Sequence, residues 1–215
     1  MKKRMLRKLP IFVCCVLVFG LTSGAFALYV PGTVLMCDAG EGAVQAGWTQ
    51  IVAGTNNNVA GTGIDVTLFT DSISGRDTGG SGPLADVETD FFFHDNGAGD
   101  FTLTLANLQA GPYKLMSYHT RSDEQWGQVI PYTTVTGATD VTLPGSIVEG
   151  HDTMENPAVH LFTAPEGGTV EIYYGTPEAG NHQVFFNGFQ LEYIPEPATI
   201  ALVGLGGLAL IRRKR

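Results

Sequence analysis

The sequence predicts an all-β fold, a two-sheet β-sandwich, and three observations carry this prediction. Short apolar runs recur through residues 28–194, separated by clusters of Gly, Pro, Asn and Asp. Several runs alternate apolar and polar residues with the period of two expected of a strand that has one buried face. No segment of useful length in this region has the period of an amphipathic helix. Many short strands between marked turns are typical of a sandwich or a barrel.

The clearest alternation lies in residues 64–68, 101–105 and 170–174. In the second of these runs we expect Phe and Leu to face the core and the two Thr to face outward. The remaining predicted strands are 33–37, 48–53, 89–93, 112–119, 128–135, 158–163 and 183–193, which makes about ten strands in all. The three consecutive Asn at 56–58 are predicted to form a turn.

Both ends of the chain read as targeting segments. Residues 1–27 have a basic start, an apolar stretch and the small-x-small pattern Ala25-Phe26-Ala27, which predicts a cleaved signal peptide. At the other end, Pro195-Glu196-Pro197 precedes an apolar run over 198–211 and the basic residues 212–215. This run is shorter than the ~20 residues of a full span, so we expect a short apolar helix with transient membrane contact. The predicted β-sandwich domain is then 28–194, followed by a sorting segment over 195–215.

The three-part tail resembles the bacterial PEP-CTERM sorting signal. Pro195, Glu196 and Pro197 match its motif, and the apolar segment and the basic end follow in the same order. The resemblance implies that a membrane-embedded exosortase recognises and processes the tail. It also implies that the exported protein goes to the cell surface or into an extracellular polysaccharide matrix.

The charge of the predicted domain excludes several partners. The whole chain has a formal net charge of −9. Residues 28–194 contain only Arg76, Lys114 and Arg121 as strong bases against 20 of the 21 acids, so this region carries −17. Such a field repels nucleic acid and anionic membranes. It suits a soluble exported domain, and it suits divalent cations.

A second resemblance concerns the middle of the chain. Residues 100–119 read DFTLTLANLQAGPYKLMSYH, residues 185–192 read FFNGFQLE, and Asp38-Ala39-Gly40 stands near the start of the domain. This order looks like galactose-binding-like jelly-roll domains of surface proteins. The resemblance implies a two-sheet jelly roll, and many such domains bind saccharides, some with a structural calcium ion.

One predicted loop has the composition of a sugar-binding site. His119, Arg121, Asp123 and Trp126 lie within eight residues, directly after a predicted strand. Sugar recognition needs an aromatic face for the apolar side of the ring and planar polar groups for pairs of hydroxyls. Arg76, in a Gly- and Ser-rich stretch, is a candidate second contact. The alternatives stay open: a solvated loop with Trp126 in the core, and an ion pair that holds the loop of Arg76.

The sequence contains few candidate metal ligands and two residues, Cys37 and Trp48, that we expect in the interior. The five His have no metal-site spacing, and only Cys37 remains after the signal peptide, in an apolar run that predicts a buried, inert thiol. Calcium is the more plausible ion, with Asp38, Glu41 and Glu192 as candidate ligands if the first and last strands pair. Trp48 is predicted to pack in the interior.

No catalytic signature is present in the sequence. It contains no Gly-x-Ser-x-Gly, no P-loop and no dinucleotide-binding fingerprint. We therefore expect a protein that is not an enzyme and needs no cofactor beyond a candidate calcium ion. The leading hypothesis is a carbohydrate-binding module, with polysaccharide and the exosortase as partners. A structural surface protein without a small ligand is the alternative, and a polysaccharide-active enzyme is a third hypothesis.

Overall fold

The computed structural model describes residues 34–40, 42–69, 74–77, 84–93, 100–119, 129–130, 132–145, 147–148, 157–175 and 184–195. The predicted signal peptide and the tail beyond Pro195 lie outside these ranges. The sequence-based domain boundaries at 27/28 and 194/195 therefore stay predictions.

Two sheets make up most of the described chain. The larger contains β1 (Val34–Ala39), β2 (Thr49–Ile51), β8 (Gly111–Tyr118), β11 (Thr139–Thr142), β13 (Ala158–Ala164) and β16 (Gly188–Tyr193). Their order is β11-β13-β8-β16-β1-β2, and only the β1–β2 pair is parallel. The last strand within the described ranges, β16, is therefore a central strand, held on one side by β1 and on the other by β8.

The smaller of the two main sheets is antiparallel throughout. It contains β3 (Asn56–Asn58), β4 (Asp65–Phe69), β7 (Asp100–Leu108), β10 (Tyr132–Thr136) and β14 (Gly168–Gly175). Their order is β10-β14-β7-β4-β3. Because apolar side chains from one face of each sheet form a shared core, the predicted two-sheet sandwich is confirmed.

Short elements complete the described part of the fold. Strands β5 (Ser74–Asp77), β6 (Asp90–Phe93) and β15 (Phe185–Phe186) form a three-stranded sheet, and β9 (Val129–Ile130) pairs with β12 (Ile147–Val148). The one helix among the described residues is α1 (Ala85–Thr89). No described helix combines the length and apolar character that crossing a membrane would need.

The predicted pleat of β7 is confirmed. Phe101, Leu103 and Leu105 are fully buried, whereas Thr102 and Thr104 are partly exposed. The opposed residues of β14 follow the same alternation, with Val170, Ile172 and Tyr174 in the core. In these two strands, the alternation of apolar and polar residues in the sequence therefore identifies the buried face correctly.

Several sequence-based strand assignments differ from the structure, and the predicted number of about ten strands falls short of the 16 among the described residues. The Asn run at 56–58 forms the edge strand β3, not a turn, because Asn57 uses its side-chain amide to bond the backbone carbonyls of Val52 and Val66. The predicted strand 183–193 is two strands separated by Asn187. This residue is fully buried, and its backbone N–H donates to Tyr118 O at 3.0 Å.

A second apolar cluster lies outside the main core. Trp48, Val87 and Tyr118 are buried together on the outer face of the larger sheet, with the Trp48 and Tyr118 ring centroids 5.8 Å apart. Asn187 holds α1 above this face, since its side-chain amide donates to Val87 O at 3.1 Å. The prediction that Trp48 is buried is confirmed, but its partners belong to this satellite cluster.

Candidate functional site

One end of the sandwich, which we call the loop end, collects the candidate binding segments. At this end β8 finishes at Tyr118, and β14 finishes at Gly175 opposite the first residue of β7, Asp100. The three-stranded sheet lies here as well, because β15 precedes β16 with only one residue between them. Phe186 of β15 stacks on Phe101 of β7 with centroids 6.2 Å apart, which joins this small sheet to the main core.

His119 is a core residue, and its predicted place on an exposed loop is corrected. It directly follows β8, as expected, but only 6% of its surface is exposed. Its Nδ1 lies 2.6 Å from Phe185 O, and its Nε2 lies 2.9 Å from Ser117 Oγ. Since a carbonyl only accepts, Nδ1 carries the proton and Nε2 accepts from the Ser117 hydroxyl. Both ring nitrogens are thus used inside the protein, and the imidazole has no free donor or acceptor for a sugar.

Burial also fixes the charge state of His119. Removal from water lowers its pKa to about 3; the hydrogen bond to Phe185 O opposes the lowering, and the nearby imidazole of His160 adds to it. His160 is fully buried on β13, and desolvation lowers its pKa to about 4, partly offset by the carbonyls of Leu115 and Ala158. Both rings contact Tyr174, at centroid distances of 4.8 and 5.5 Å. The two histidines are therefore neutral at pH 7.

The Ser117–His119 pair has the hydroxyl-to-imidazole geometry of a nucleophile and its base. Ser117 is fully buried beside the Tyr174 ring, however, and burial raises the pKa of the Tyr174 hydroxyl. No substrate can reach a hydroxyl in this position without opening the core. The arrangement instead fixes the end of β8 to β15, across 66 residues of sequence.

The other residues of the predicted sugar site are only partly located. Arg121, Asp123 and Trp126 lie outside the described residues, so their predicted role is untested. The backbone of Arg76 lies in β5, where it pairs with Phe91 of β6. Because β6 also pairs with β15, Arg76 is carried to the same end of the sandwich as His119.

The proposed calcium ligands do not meet. The first and last strands do pair, as the prediction required, but Asp38 lies opposite Gly188 and Glu192 lies opposite Val34. Four residues along a strand separate the two carboxylates by about 14 Å, whereas a shared calcium ion needs oxygens at ~2.3–2.6 Å. Glu41 lies outside the described residues. Within the described ranges, no group of three or more His, Cys, Asp or Glu is placed to hold a metal ion.

Asp38 has a structural partner instead. It is 1% exposed, and its Oδ2 accepts a 2.8 Å hydrogen bond from the backbone N–H of Gln45, which holds the turn between β1 and β2. The neighbouring Cys37 is fully buried, and desolvation, with the Asp38 charge beside it, raises the pKa of its thiol. The predicted burial of this thiol is confirmed, and its raised pKa is consistent with low reactivity.

Sequence reasoning missed the anchoring role of His119, although a signal was present. Tyr113, Leu115 and Ser117 all face the core, and the next residue in this period of two is His119. Continuing the alternation by one step would have placed the imidazole inside. The hydrogen-bonding partner Phe185 O was not detectable, because it belongs to a distant part of the chain.

The sorting segment begins directly where the sandwich ends. Ile194 follows β16, and its backbone N–H still donates to Pro112 O at 2.8 Å. Pro195 is half-buried, whereas Glu196 and Pro197 lie outside the described residues. The motif therefore starts one residue after the last interstrand hydrogen bond of a central strand.

Comparisons with known proteins bear on the tail and on the fold. The model of the PEP-CTERM protein-sorting motif matches residues 194–215. No curated protein matches the chain. Among solved structures, the Bacillus subtilis protein YXIM is similar at 14% identity and a TM-score of 0.43 over 75% of this chain, which spans 40% of that protein. A family 35 carbohydrate binding module from Clostridium thermocellum is similar at 13% identity and a TM-score of 0.35, over 59% of this chain and 90% of the module.

The match at residues 194–215 agrees with the resemblance that the sequence of the tail suggested, and it covers the segment that was expected to direct sorting. The chain ends in a PEP-CTERM sorting motif, which marks an exported protein that an exosortase processes at the cell envelope.

Proposed function

We propose that this protein is a non-catalytic carbohydrate-binding domain that acts at the cell surface or in an extracellular polysaccharide matrix. Its proposed binding site is the loop end of the sandwich. The contacts are Arg121, Asp123 and Trp126, with Arg76 as a second contribution. His119 supports the site from within the core and does not touch the ligand.

The observation that supports this proposal is that the chain at His119 and the strand that contains Arg76 are both anchored at the loop end. His119 is bonded to Phe185 O of β15 at 2.6 Å, so the chain enters residues 120–128 from a rigid point. Strand β15 pairs with β6, and β6 pairs with β5, which carries Arg76. Two strand spacings separate β5 from β15, or about 10 Å. Binding residues on loops at the rim of a rigid scaffold are a common arrangement.

The chemistry of these residues suits a saccharide. A Trp ring offers an apolar face to the C–H groups of a sugar ring, and Arg and Asp hold pairs of hydroxyls in fixed directions. Arg121 and Arg76 are two of the three strong bases in residues 28–194. A site that gathers both of them is also where a ligand with acidic groups meets the least repulsion from the acidic domain.

A structural surface protein without a small ligand is the second candidate function. It is favoured by one observation: His119, the only member of the predicted loop site within the described residues, is a core residue. If Trp126 packs inward in the same way, the segment closes the end of the sandwich instead of binding a ligand.

Calorimetric titration of matrix polysaccharide into single variants separates the two functions. We expect Trp126→Ala, Arg121→Ala and Asp123→Ala each to weaken binding by roughly 5- to 150-fold, because unmatched polar groups in a site cost about 1–3 kcal/mol. Lys114→Ala is the matched control, since it removes the third strong base from the middle of the larger sheet, in β8. Thermal melts of the same variants should change little.

The opposite pattern would overturn the binding function. A wild-type protein that binds no saccharide at millimolar concentration, together with a Trp126→Ala variant that is strongly destabilised, supports the structural candidate. An Arg121→Ala variant that binds no worse than Lys114→Ala would contradict the proposed site.

A further inference from the structure

The outer face of the five-stranded sheet carries two aromatic residues in one row. Tyr173 of β14 lies opposite Thr102 of β7, and Thr102 lies opposite Phe69 of β4. Opposed residues of antiparallel strands share a face, so all three side chains point away from the core. Two strand spacings place Tyr173 and Phe69 about 10 Å apart.

The two rings differ in exposure, since Phe69 is exposed and Tyr173 is half-buried. Phe69 is 56% exposed, the largest exposed fraction among the large apolar residues in the described part of the chain. The ring of Tyr173 leans along its own strand and over Gly175, where a Cβ would lie only 2.5–2.8 Å from its Cε1, Cζ and Oη atoms. Glycine at this position therefore lets the tyrosine ring lie along the sheet, with one side against backbone.

Threonines surround the two rings. Thr134 continues the row beside Tyr173, and the next row contains Thr136, Glu171, Thr104 and Thr67, with the Thr136 hydroxyl 3.5 Å from a Glu171 carboxylate oxygen. Each hydroxyl both donates and accepts a hydrogen bond, which is the pairing that sugar hydroxyls need. The surface thus combines flat apolar rings with two-way hydrogen-bonding groups over a rigid strand framework.

A second copy of the protein is a poor occupant for this face. An aromatic side chain contributes about 150–250 Å² to a contact, so two partly exposed rings supply only a small apolar centre for an interface of the ~800 Å² per partner that a stable dimer needs. Among the residues of this face whose side chains the structure describes, the charged ones are Asp65 and Glu171, with no Lys or Arg. An anionic polymer is repelled, whereas a neutral one is not.

We propose that this face is a second binding surface, which takes a neutral, extended polysaccharide across the strands. Phe69 and Tyr173 contact the apolar sides of two sugar rings along one polymer chain, and the hydroxyl of Thr102 bonds the unit between them. The inference shares its ligand class with the proposed function, but its residues lie on a sheet face and not in the 120–128 segment. The two can therefore fail separately.

Affinity electrophoresis of the exported protein tests the inference. Native gels would contain β-glucan or xylan as neutral polymers and alginate as the anionic one. We expect retardation of the wild type by a neutral polymer and none by alginate. Phe69→Ala and Tyr173→Ala should each weaken that retardation about tenfold, since each removes a ring from the contact. Leu161→Ala is the matched control, because it trims an exposed apolar residue from a strand of the other sheet.

Each outcome bears on one surface. No retardation by any neutral polymer, or equal retardation of Phe69→Ala and Leu161→Ala, overturns the sheet-face inference. Loss with Trp126→Ala alone overturns it too and supports the loop-end site. Loss with Phe69→Ala and not with Trp126→Ala supports the sheet face and contradicts the loop end. Thermal melts identify misfolding, and the strongly exposed Phe69 keeps the test valid if Tyr173→Ala is unstable.

Discussion

Mild acid should destabilise this protein through its two buried histidines. Burial holds the pKa of His119 at about 3 and that of His160 at about 4, whereas both titrate near 6.5 in the unfolded chain. Between these values the unfolded state binds protons that the folded state does not. Stability is therefore full above pH 6.5 and is lost as pH falls toward the folded pKa values.

The size of the effect follows from the separation of the pKa values. A pH of 5 lies about 1.5 units below the pKa of a histidine in the unfolded chain. Protonation of the unfolded state therefore lowers the free energy of unfolding by ~2 kcal/mol per histidine. His119 and His160 together should lower the free energy of unfolding by about 4 kcal/mol between pH 7.5 and pH 5. This is a large share of the ~5–15 kcal/mol of a typical domain.

Urea denaturation at pH 7.5 and pH 5, for the wild type and for His160→Leu, measures this loss. The variant should lose about 2 kcal/mol less than the wild type over the same pH interval, whatever its absolute stability. The comparison cancels the titration of the many carboxylates, which both proteins share. If the two proteins show the same pH dependence, the inference that His160 is held neutral in the folded state is wrong.

Three other perturbations give defined outcomes. Leu103→Ala in the core should cost ~2–5 kcal/mol in urea melts, and Thr102→Ala on the outer face should stay within about ±0.5; equal effects would contradict the pleat. Gly137→Ala should destabilise far more than Gly145→Ala, because both glycines have positive φ but only at Gly137 would a Cβ collide with a neighbouring carbonyl; equal melting temperatures would refute the collision. Replacing residues 195–197 by three alanines should leave the tail attached in a host with an exosortase, as seen by intact mass; wild-type surface protein that keeps residues 212–215 would argue against sorting.

The alternation of apolar and polar residues within short segments was sufficient to predict a two-sheet fold and the buried side of its main strands. The alternation of Phe101, Leu103 and Leu105 with two threonines identifies the buried side of β7, because successive side chains of a strand point to opposite faces. The same rule, continued from Ser117 to His119, would have identified a core histidine. The loop composition around His119 suggested the opposite, since a run of charged and aromatic residues is typical of a binding loop.

The residues that lie opposite each other on paired strands could not be predicted from this alternation. The pairing of β1 with β16 was expected, yet its register separates Asp38 and Glu192 and so removes the candidate calcium site. Likewise, nothing local to Tyr173 or Phe69 indicates that one row of the sheet contains both of them. A strand's own sequence reports which face is buried, but several registers can satisfy that condition equally well.

The sequence by itself determined the all-β class, the buried sides of the main strands and the sorting tail, because each is encoded in a short, contiguous pattern. Only the tertiary structure decided which residues share a site. The bond from His119 to Phe185 O spans 66 residues, and the order β8-β16-β1 brings together the middle, the end and the start of the domain. Such contacts depend on strand order and register, which the whole core selects by the fit of its side chains rather than by any single segment.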